Sequence, residues 1–142
     1  MQPQDAFTHT EPNLLPVLHE LRSYEPIFHT HAFGLTTADC ERRMASDYWE
    51  VGASGRRYSH AFIRETLSQH PPIDAAIANW QAIDFALQVL GPDTYLLTYT
   101  LNQNPRLTRR STIWRNTPEG WQILYHQGTI VSDEPSQSTP QS

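Results

Sequence analysis

The feature that most limits the fold of this chain is a change in the spacing of its apolar residues near residue 79. Before that point they recur at helical spacing, as Leu14, Leu18 and Leu21 do. From residue 79 onward apolar and polar residues alternate, which is typical of strands with one buried face. Helices that precede an antiparallel run of strands predict an α+β fold rather than a parallel α/β sheet.

Turn-forming residues divide the second half of the chain into four predicted strands, which cover residues 79–90, 94–103, 106–117 and 121–131. Alternation places one apolar set on a single face of the first strand: Ile83, Phe85, Leu87 and Val89. Sheets of long strands twist and curl. We therefore expect a cone-shaped curved antiparallel sheet that wraps around the N-terminal helices and leaves one open mouth.

The first half of the chain contains the signals of three helices and one short strand. Asn13 is expected to cap the first helix, Thr37 a second that reaches residue 44 or 45, and Ser59 a third. The segment Tyr48–Val51 is predicted to be a short strand.

Length and composition fit one folded domain with polar ends. A chain of 142 residues is long enough for one hydrophobic core and too short for two. We predict a folded unit over residues 13–131. The polar, proline-bearing tails 1–12 and 132–142 should be disordered, because they can bury too little apolar surface to offset the entropy of ordering.

Charge and residue usage exclude several functional classes. A net charge of -5 argues against nucleic-acid binding and against an anionic membrane surface. All ten basic residues are Arg, so a Lys Schiff base is excluded. The single cysteine, Cys40, excludes an intramolecular disulfide. The sequence shows neither a signal peptide nor a membrane-length apolar run, and we expect a cytoplasmic protein.

No cofactor and no metal site is predicted. His29 and His31 are two residues apart, but they lack a third ligand nearby in sequence. The segment Gly52–Arg56 is glycine-bearing, but it lacks the Lys and the strand–loop–helix spacing of a phosphate loop.

The register of the last hairpin follows from its turn. A glycine bulge in the 117–120 turn would place Thr112 opposite His126 and Trp114 opposite Leu124. Alternation then puts four side chains on one face: Arg110, Thr112, Trp114 and His126.

Three residues are candidates for catalysis. His126 could act as a base or a proton donor near neutral pH, or it could be a structural histidine bonded to a neighbour. Arg110 could bind a carboxylate or enolate oxygen, or it could pair with Asp84 or Glu50. Tyr99 lies in the apolar alternation, so its hydroxyl either serves a ligand or finds a partner in the core.

Four residues are candidates for ligand binding: Trp49, Glu50, Tyr58 and Trp114. The tryptophans would form pocket walls. If Glu50 lies in an apolar cone, burial raises its pKa and makes it a usable base. The alternative is a carboxylate at the rim that pairs with Arg56 or Arg57.

The order of elements and three segments resemble the nuclear-transport-factor-two-like superfamily. The segments are ASDYWEVGASGRRY at 45–58, TRRSTIW at 108–114 and GWQILYHQGTIV at 120–131. Over residues 14–131 the chain resembles an uncharacterised bacterial branch near the SnoaL-like polyketide cyclases and ketosteroid isomerases. The resemblance implies a cone fold in which enzymes use an Asp or His base with a Tyr or acid as oxyanion donor. It also implies a homodimer formed through the sheet.

Two hypotheses about function follow. In the first, the cone binds a small apolar or aromatic metabolite, with or without isomerase-, cyclase- or dehydratase-like acid–base chemistry. In the second, the chain is a non-catalytic interaction module whose cone is filled by its own aromatic side chains. Its sheet face with Arg109 and Arg115 would then dock a partner.

Overall fold

The computed structural model describes residues 9–26, 36–70 and 79–132. Within these ranges a short 3₁₀ turn, Pro12–Leu14, leads into the first helix. The helices are α1 (Leu15–Arg22), α2 (Thr37–Glu41) and α3 (His60–Gln69). The strands are β1 (Met44–Val51), β2 (Arg57–Ser59), β3 (Gln81–Gly91), β4 (Thr94–Asn102), β5 (Leu107–Thr117) and β6 (Gly120–Ile130).

The six strands of the described residues form one curved, unclosed sheet in the order β2-β1-β6-β5-β4-β3. Neighbouring strands are antiparallel except β1 and β6, which run parallel. The predicted α+β fold with a curved sheet around N-terminal helices is confirmed. No helix in the described ranges is both long enough and apolar enough to cross a bilayer.

The helix boundaries differ from the predictions at two of the three starts. Asn13 is not a cap, because the chain enters α1 through the 3₁₀ turn and the cap position falls on Leu14 without a side-chain bond. At α2 the cap is Thr36 rather than Thr37, and it forms a capping box with Asp39. The prediction for α3 is confirmed, since the Ser59 side chain accepts a hydrogen bond from the backbone N–H of Phe62 at 3.1 Å.

The second helix also ends earlier than the sequence indicated. It stops at Glu41, and the next strand begins at Met44. Met44 pairs with Ile123 of β6 and is buried. The residues that the sequence assigned to the end of the helix therefore belong to a strand. The strand predicted over Tyr48–Val51 is therefore the second half of a longer one.

The last hairpin has the predicted extra residue, but at another place. Thr112 faces His126, as expected, whereas Trp114 faces Ile123 rather than Leu124. Thr117 pairs directly with Gly120, so the bulge lies at Leu124 inside β6 and not in the turn. The predicted faces of β5, and of β6 from His126 onward, were correct, because the bulge lies before His126 in the chain.

A second bulge reverses part of β3. Asp84 has a positive φ of 61°, which an aspartate tolerates, and the register shifts between Ile83 and Ala86. Ile83 therefore pairs with Thr100 and is exposed, while Leu87 pairs with Leu97 inside the fold. The predicted placement of Ile83 on the same face as Leu87 was wrong.

The two faces of the sheet have different roles. We call the face that carries Leu97 and Trp114 the inner face and the face that carries Arg109 and Ser111 the outer face. The helices pack on the inner face, where the fully buried side chains include Leu21, Leu97, Trp114 and Ile123. Burying one large apolar side chain stabilises a fold by about 1.5–3 kcal/mol, so this layer supplies most of the stability.

Few described residues outside the predicted unit 13–131 touch the sheet. Thr10 does so, since its hydroxyl accepts a hydrogen bond from the backbone N–H of Leu87 at 3.1 Å. Most of both predicted tails lies outside the described residues, and the tail boundaries remain predictions.

Candidate functional site

Polar side chains gather on the inner face, next to the apolar layer. We call them the inner polar cluster; they come from the end of α1 and from four strands: Glu25, Tyr48, Glu50, Tyr99, Arg110, Thr112 and His126. Polar groups in such a place cost free energy unless they are paired. The contacts described next show how each one is held.

Glu25 joins the first helix to the sheet. It lies three residues beyond α1 and is only 7% exposed. Its Oε1 accepts a hydrogen bond from the Tyr99 hydroxyl at 2.7 Å, and its Oε2 accepts one from the Trp114 indole N–H at 3.0 Å. One carboxylate thus serves two donors on neighbouring strands.

Tyr48 and Glu50 form a second pair on β1. Their side chains share the inner face because they are two residues apart on the strand, and the Tyr48 hydroxyl donates to Glu50 Oε1. Burial raises the pKa of Glu50, while the Tyr48 hydrogen bond and the charge of Arg110 oppose that shift. Glu50 is only half-buried.

His126 is almost fully buried beside Glu50. The two residues are paired across the parallel strands β1 and β6. His126 Nδ1 lies 2.7 Å from the Thr112 hydroxyl, and His126 Nε2 lies 3.4 Å from an Arg110 N–H group. A guanidinium can only donate, so Nε2 is the acceptor and Nδ1 carries the proton that is donated to Thr112. These contacts fit a neutral imidazole.

Arg110 rests on a glycine of the next strand. It pairs with Gly128, and a Cβ at Gly128 would lie only 3.2 Å from the guanidinium carbon. The Arg110 Nε donates to Thr108 at 2.9 Å, which fixes one edge of the group. Burial lowers the pKa of Arg110, but an arginine stays charged at any physiological pH.

Burial also sets the state of the two tyrosines. It raises the pKa of Tyr48 and of Tyr99 well above the ordinary value, with neighbouring carboxylates adding to the shift. Both hydroxyls therefore stay protonated and act as donors. The cluster combines a guanidinium, an imidazole and a carboxyl group with a raised pKa, which are groups that general acid–base chemistry uses.

No protein-family model and no curated protein sequence matches the chain. Solved structures do match. A protein of unknown function from Pectobacterium atrosepticum is 18% identical, with a TM-score of 0.61, over 87% of this chain and 100% of that one. A proposed dehydratase from the NTF2-like family of Streptomyces avermitilis is 17% identical, with a TM-score of 0.58, over 87% and 100%. An NTF2-like protein of Rhodospirillum rubrum, of unknown function in nutrient uptake, is 16% identical, with a TM-score of 0.56, over 84% and 98%.

The chain has an NTF2-like fold. The resemblance inferred from the three sequence segments is thereby confirmed at the level of the fold. Structural similarity at these sequence identities shows the architecture alone, because proteins of one fold have many different functions. The function of this NTF2-like chain therefore has to be argued from its own site.

The structure brings five of the seven predicted site residues into contact range on the inner face: Glu50, Tyr99, Arg110, Trp114 and His126. Tyr58 pairs with Glu50 from β2 and lies at the edge of the group, where its ring stacks on Phe62 at 5.2 Å. Trp49 does not join them. It lies on the outer face of β1, is 44% exposed and packs edge-on against Tyr125 at 4.9 Å.

Two structural alternatives from the sequence are not seen among the described contacts. Arg110 makes no ion pair with Asp84, which lies at the outer face. Glu50 makes none with Arg56, whose guanidinium lies over the Tyr58 ring at 5.5 Å from its centroid. His29 and His31, the rejected metal ligands, lie outside the described residues.

Three members of the cluster were not predicted as site residues: Glu25, Tyr48 and Thr112. Glu25 is the one that joins a helix to the sheet. Its position continues the helical spacing of Leu14, Leu18 and Leu21. A carboxylate at a position that continues an apolar stripe is itself a signal, because such a residue is rarely buried without partners. Its partners are 74 and 89 residues away in sequence, and no local pattern identifies them.

The outer face carries a groove of about 1080 Å³. Its walls come mainly from outer residues of β3 to β6, including Asp84, Gln88, Arg109 and Gln127, and Tyr99 and Arg110 also line it. The Arg109 guanidinium is held there by the Thr100 hydroxyl at 2.7 Å. The groove lies mostly on the side of the sheet away from the cluster, so we treat it as a separate surface.

Proposed function

We propose that the inner face of this NTF2-like fold binds a small, largely apolar or aromatic metabolite and performs acid–base chemistry on it. The observation that carries the proposal is the inner polar cluster itself. A core that served only stability would not bury two carboxylates, a guanidinium and an imidazole together, since each has a desolvation cost. Titratable groups with perturbed pKa values that lie together mark a candidate functional site.

The contacts suggest a division of roles. His126 would accept a proton at Nε2 while Thr112 holds Nδ1, and Glu50 beside it would donate or accept in the same step. Arg110 would orient an oxygen of the substrate, and the Tyr99 hydroxyl would hold the Glu25 carboxylate in place. Trp114 would also hold the Glu25 carboxylate in place, because its indole N–H donates a hydrogen bond to Glu25. The chemistry is of the isomerase, cyclase or dehydratase type, in which a proton is moved without a redox cofactor.

Native mass spectrometry of the protein purified from its own host tests this proposal. The same sample is then denatured, and any small molecule released is weighed. We expect an organic molecule in the wild type and a loss of most of it in His126→Ala. His19→Ala, which removes an exposed histidine of α1, is the matched control and should keep it. If wild type carries nothing and shows no thermal shift with a metabolite library, the proposal is wrong.

We also propose that a second copy of the chain docks on the outer face. The groove there is lined by residues of opposite charge, Arg109 and Asp84. A two-fold axis would place Arg109 of one copy against Asp84 of the other. The exposed Trp49, packed on the half-buried Tyr125, adds apolar surface to the same side of the sheet.

Light scattering after size exclusion tests the dimer. Arg109→Asp should weaken it, and the charge swap that adds Asp84→Arg should restore it. Glu119→Arg, in the β5–β6 turn, is the control and should leave the mass unchanged. A wild-type monomer at every concentration contradicts the dimer. A heteromeric complex from the host would instead favour the non-catalytic interaction module, with the Arg109 face as its docking surface.

A further inference from the structure

We propose that the ligand of the inner face carries a carboxylate, which the Arg110 guanidinium binds through its N–H edge. This inference rests on the proposed function and specifies the class of ligand. Its first support is the pairing of Arg110. In the described part of the chain the guanidinium has two hydrogen bonds, to Thr108 and to His126, and no carboxylate within ion-pair distance.

The second support is that the two nearby carboxylates accept hydrogen bonds from other side chains. Both oxygens of Glu25 accept hydrogen bonds, from Tyr99 and Trp114. Glu50 accepts from Tyr48. An arginine that is half-buried without an ion-pair partner retains N–H groups suited to a planar, two-oxygen acceptor.

The third support is the shape of the surface beneath the guanidinium. Gly128 lacks a side chain where a Cβ would come within 3.2–3.3 Å of three guanidinium atoms. The group therefore lies flat against the strand, with its edge directed along the inner face toward His126. The contact with Gly128 and the hydrogen bond from Nε to Thr108 together restrict the guanidinium to one orientation, which favours a defined ligand.

The charge balance selects a carboxylate over a more highly charged anion. Glu25 and Glu50 already bring negative charge near the guanidinium, so a dianion would be repelled. A monoanion can be accommodated if Glu50 takes up one proton, which leaves the net charge of the site unchanged. Among the described residues, Glu50 faces Tyr48 of its own strand, Arg110 of β5 and Tyr99 of β4, and it is paired with Tyr58 of β2 and His126 of β6. Glu25 lies beyond them, bonded to Tyr99.

An NMR titration with matched probes tests the inference. The probes are 2-naphthoate, its neutral amide 2-naphthamide and the dianion 2-naphthyl phosphate, and the Trp114 indole N–H and the Gly128 amide report binding at the site. We expect 2-naphthoate to bind about tenfold or more tightly than either analogue. Its affinity should rise as pH falls, and Glu50→Gln should flatten that dependence, because the proton that accompanies binding is then absent.

Two arginines provide the matched variants. Arg110→Gln should remove the advantage of the carboxylate, while Arg42→Gln, at the exposed end of α2, should change the affinity by less than about twofold. If Arg110→Gln fails to fold, Gly128→Ala takes its place, since it displaces the guanidinium and leaves the charge. Equal binding of naphthoate and naphthamide, or preference for the phosphate, overturns the carboxylate and leaves the proposed function standing. If no probe and no library metabolite binds the inner face, both fail.

Discussion

Replacing Glu25 gives the sharpest test of how the inner polar cluster is built. In Glu25→Ala the Tyr99 hydroxyl and the Trp114 indole N–H lose their acceptor, and both lie in the buried layer. A buried donor left without a partner costs about 1–3 kcal/mol, so the two together should cost about 4 kcal/mol. The isosteric Glu25→Gln keeps one acceptor oxygen but places an amide N–H₂ group against the other donor. The free energy of unfolding should therefore fall by about 2 kcal/mol.

Urea unfolding followed by circular dichroism measures this cost. A domain of this size has a slope of about 2 kcal/mol per molar urea, so Glu25→Ala should lower the midpoint by about 2 M. Glu20→Ala, on an exposed part of α1, is the control and should change the free energy of unfolding by less than about 0.5 kcal/mol.

A double-mutant cycle then isolates the contact between Glu25 and Tyr99. Tyr99→Phe removes the hydroxyl and keeps the ring, so the cycle should give a coupling free energy of about 1.5 kcal/mol or more, as expected for a hydrogen bond to a charged group. A coupling below about 0.5 kcal/mol, or a Glu25→Ala variant as stable as the control, would refute the reasoning that this carboxylate ties α1 to the sheet.

Three further predictions concern the site and its frame. Gly128→Ala should leave the fold intact but displace the Arg110 guanidinium, seen as shifted amide resonances of β5 and weaker binding of 2-naphthoate; unchanged spectra around β5 would contradict the close contact. Because burial raises the pKa of Glu50 in the folded state, its contribution to stability is present at low pH and is lost as pH rises from the ordinary glutamate range through the raised pKa; urea unfolding at several pH values should show a flatter profile for Glu50→Gln, and identical profiles would count against the shift. Ser59→Ala removes the cap of α3 and should cost about 1 kcal/mol by urea unfolding, against no measurable change for the exposed Ser54→Ala; equal stability of the two would show that the cap contributes nothing.

Most of the local structure could be predicted from the sequence, because it depends on residues that are close together in the chain. Ser59 caps α3 as its residue type predicts, and the alternation of β4 places Leu97, Tyr99 and Leu101 on the inner face. The pairing of Thr112 with His126 was also predictable, since the extra residue of β6 lies between the turn and that pair wherever the bulge is placed. The resemblance to NTF2-like proteins then supplied the order in which the elements assemble.

The remaining features depend on contacts between distant parts of the chain. The pairing of β1 with β6 is parallel and joins residues about 80 positions apart, so hairpin rules do not reach it. The bulge at Asp84 turns Ile83 outward although the alternation of β3 reads continuously. Trp49 shows the same limit at the site, because a strand pattern alone does not say which of its two faces meets the helices.

Crystallographic fragment screening tests the central claim, that the inner polar cluster is a ligand site, most directly. We predict that small aromatic carboxylates bind on the inner face, with a carboxylate oxygen in hydrogen-bond distance of Arg110 and the ring toward Tyr99 and Glu50. Fragments found only in the outer groove, with an inner face that no fragment enters, would contradict the account and leave the interaction module as the function to pursue.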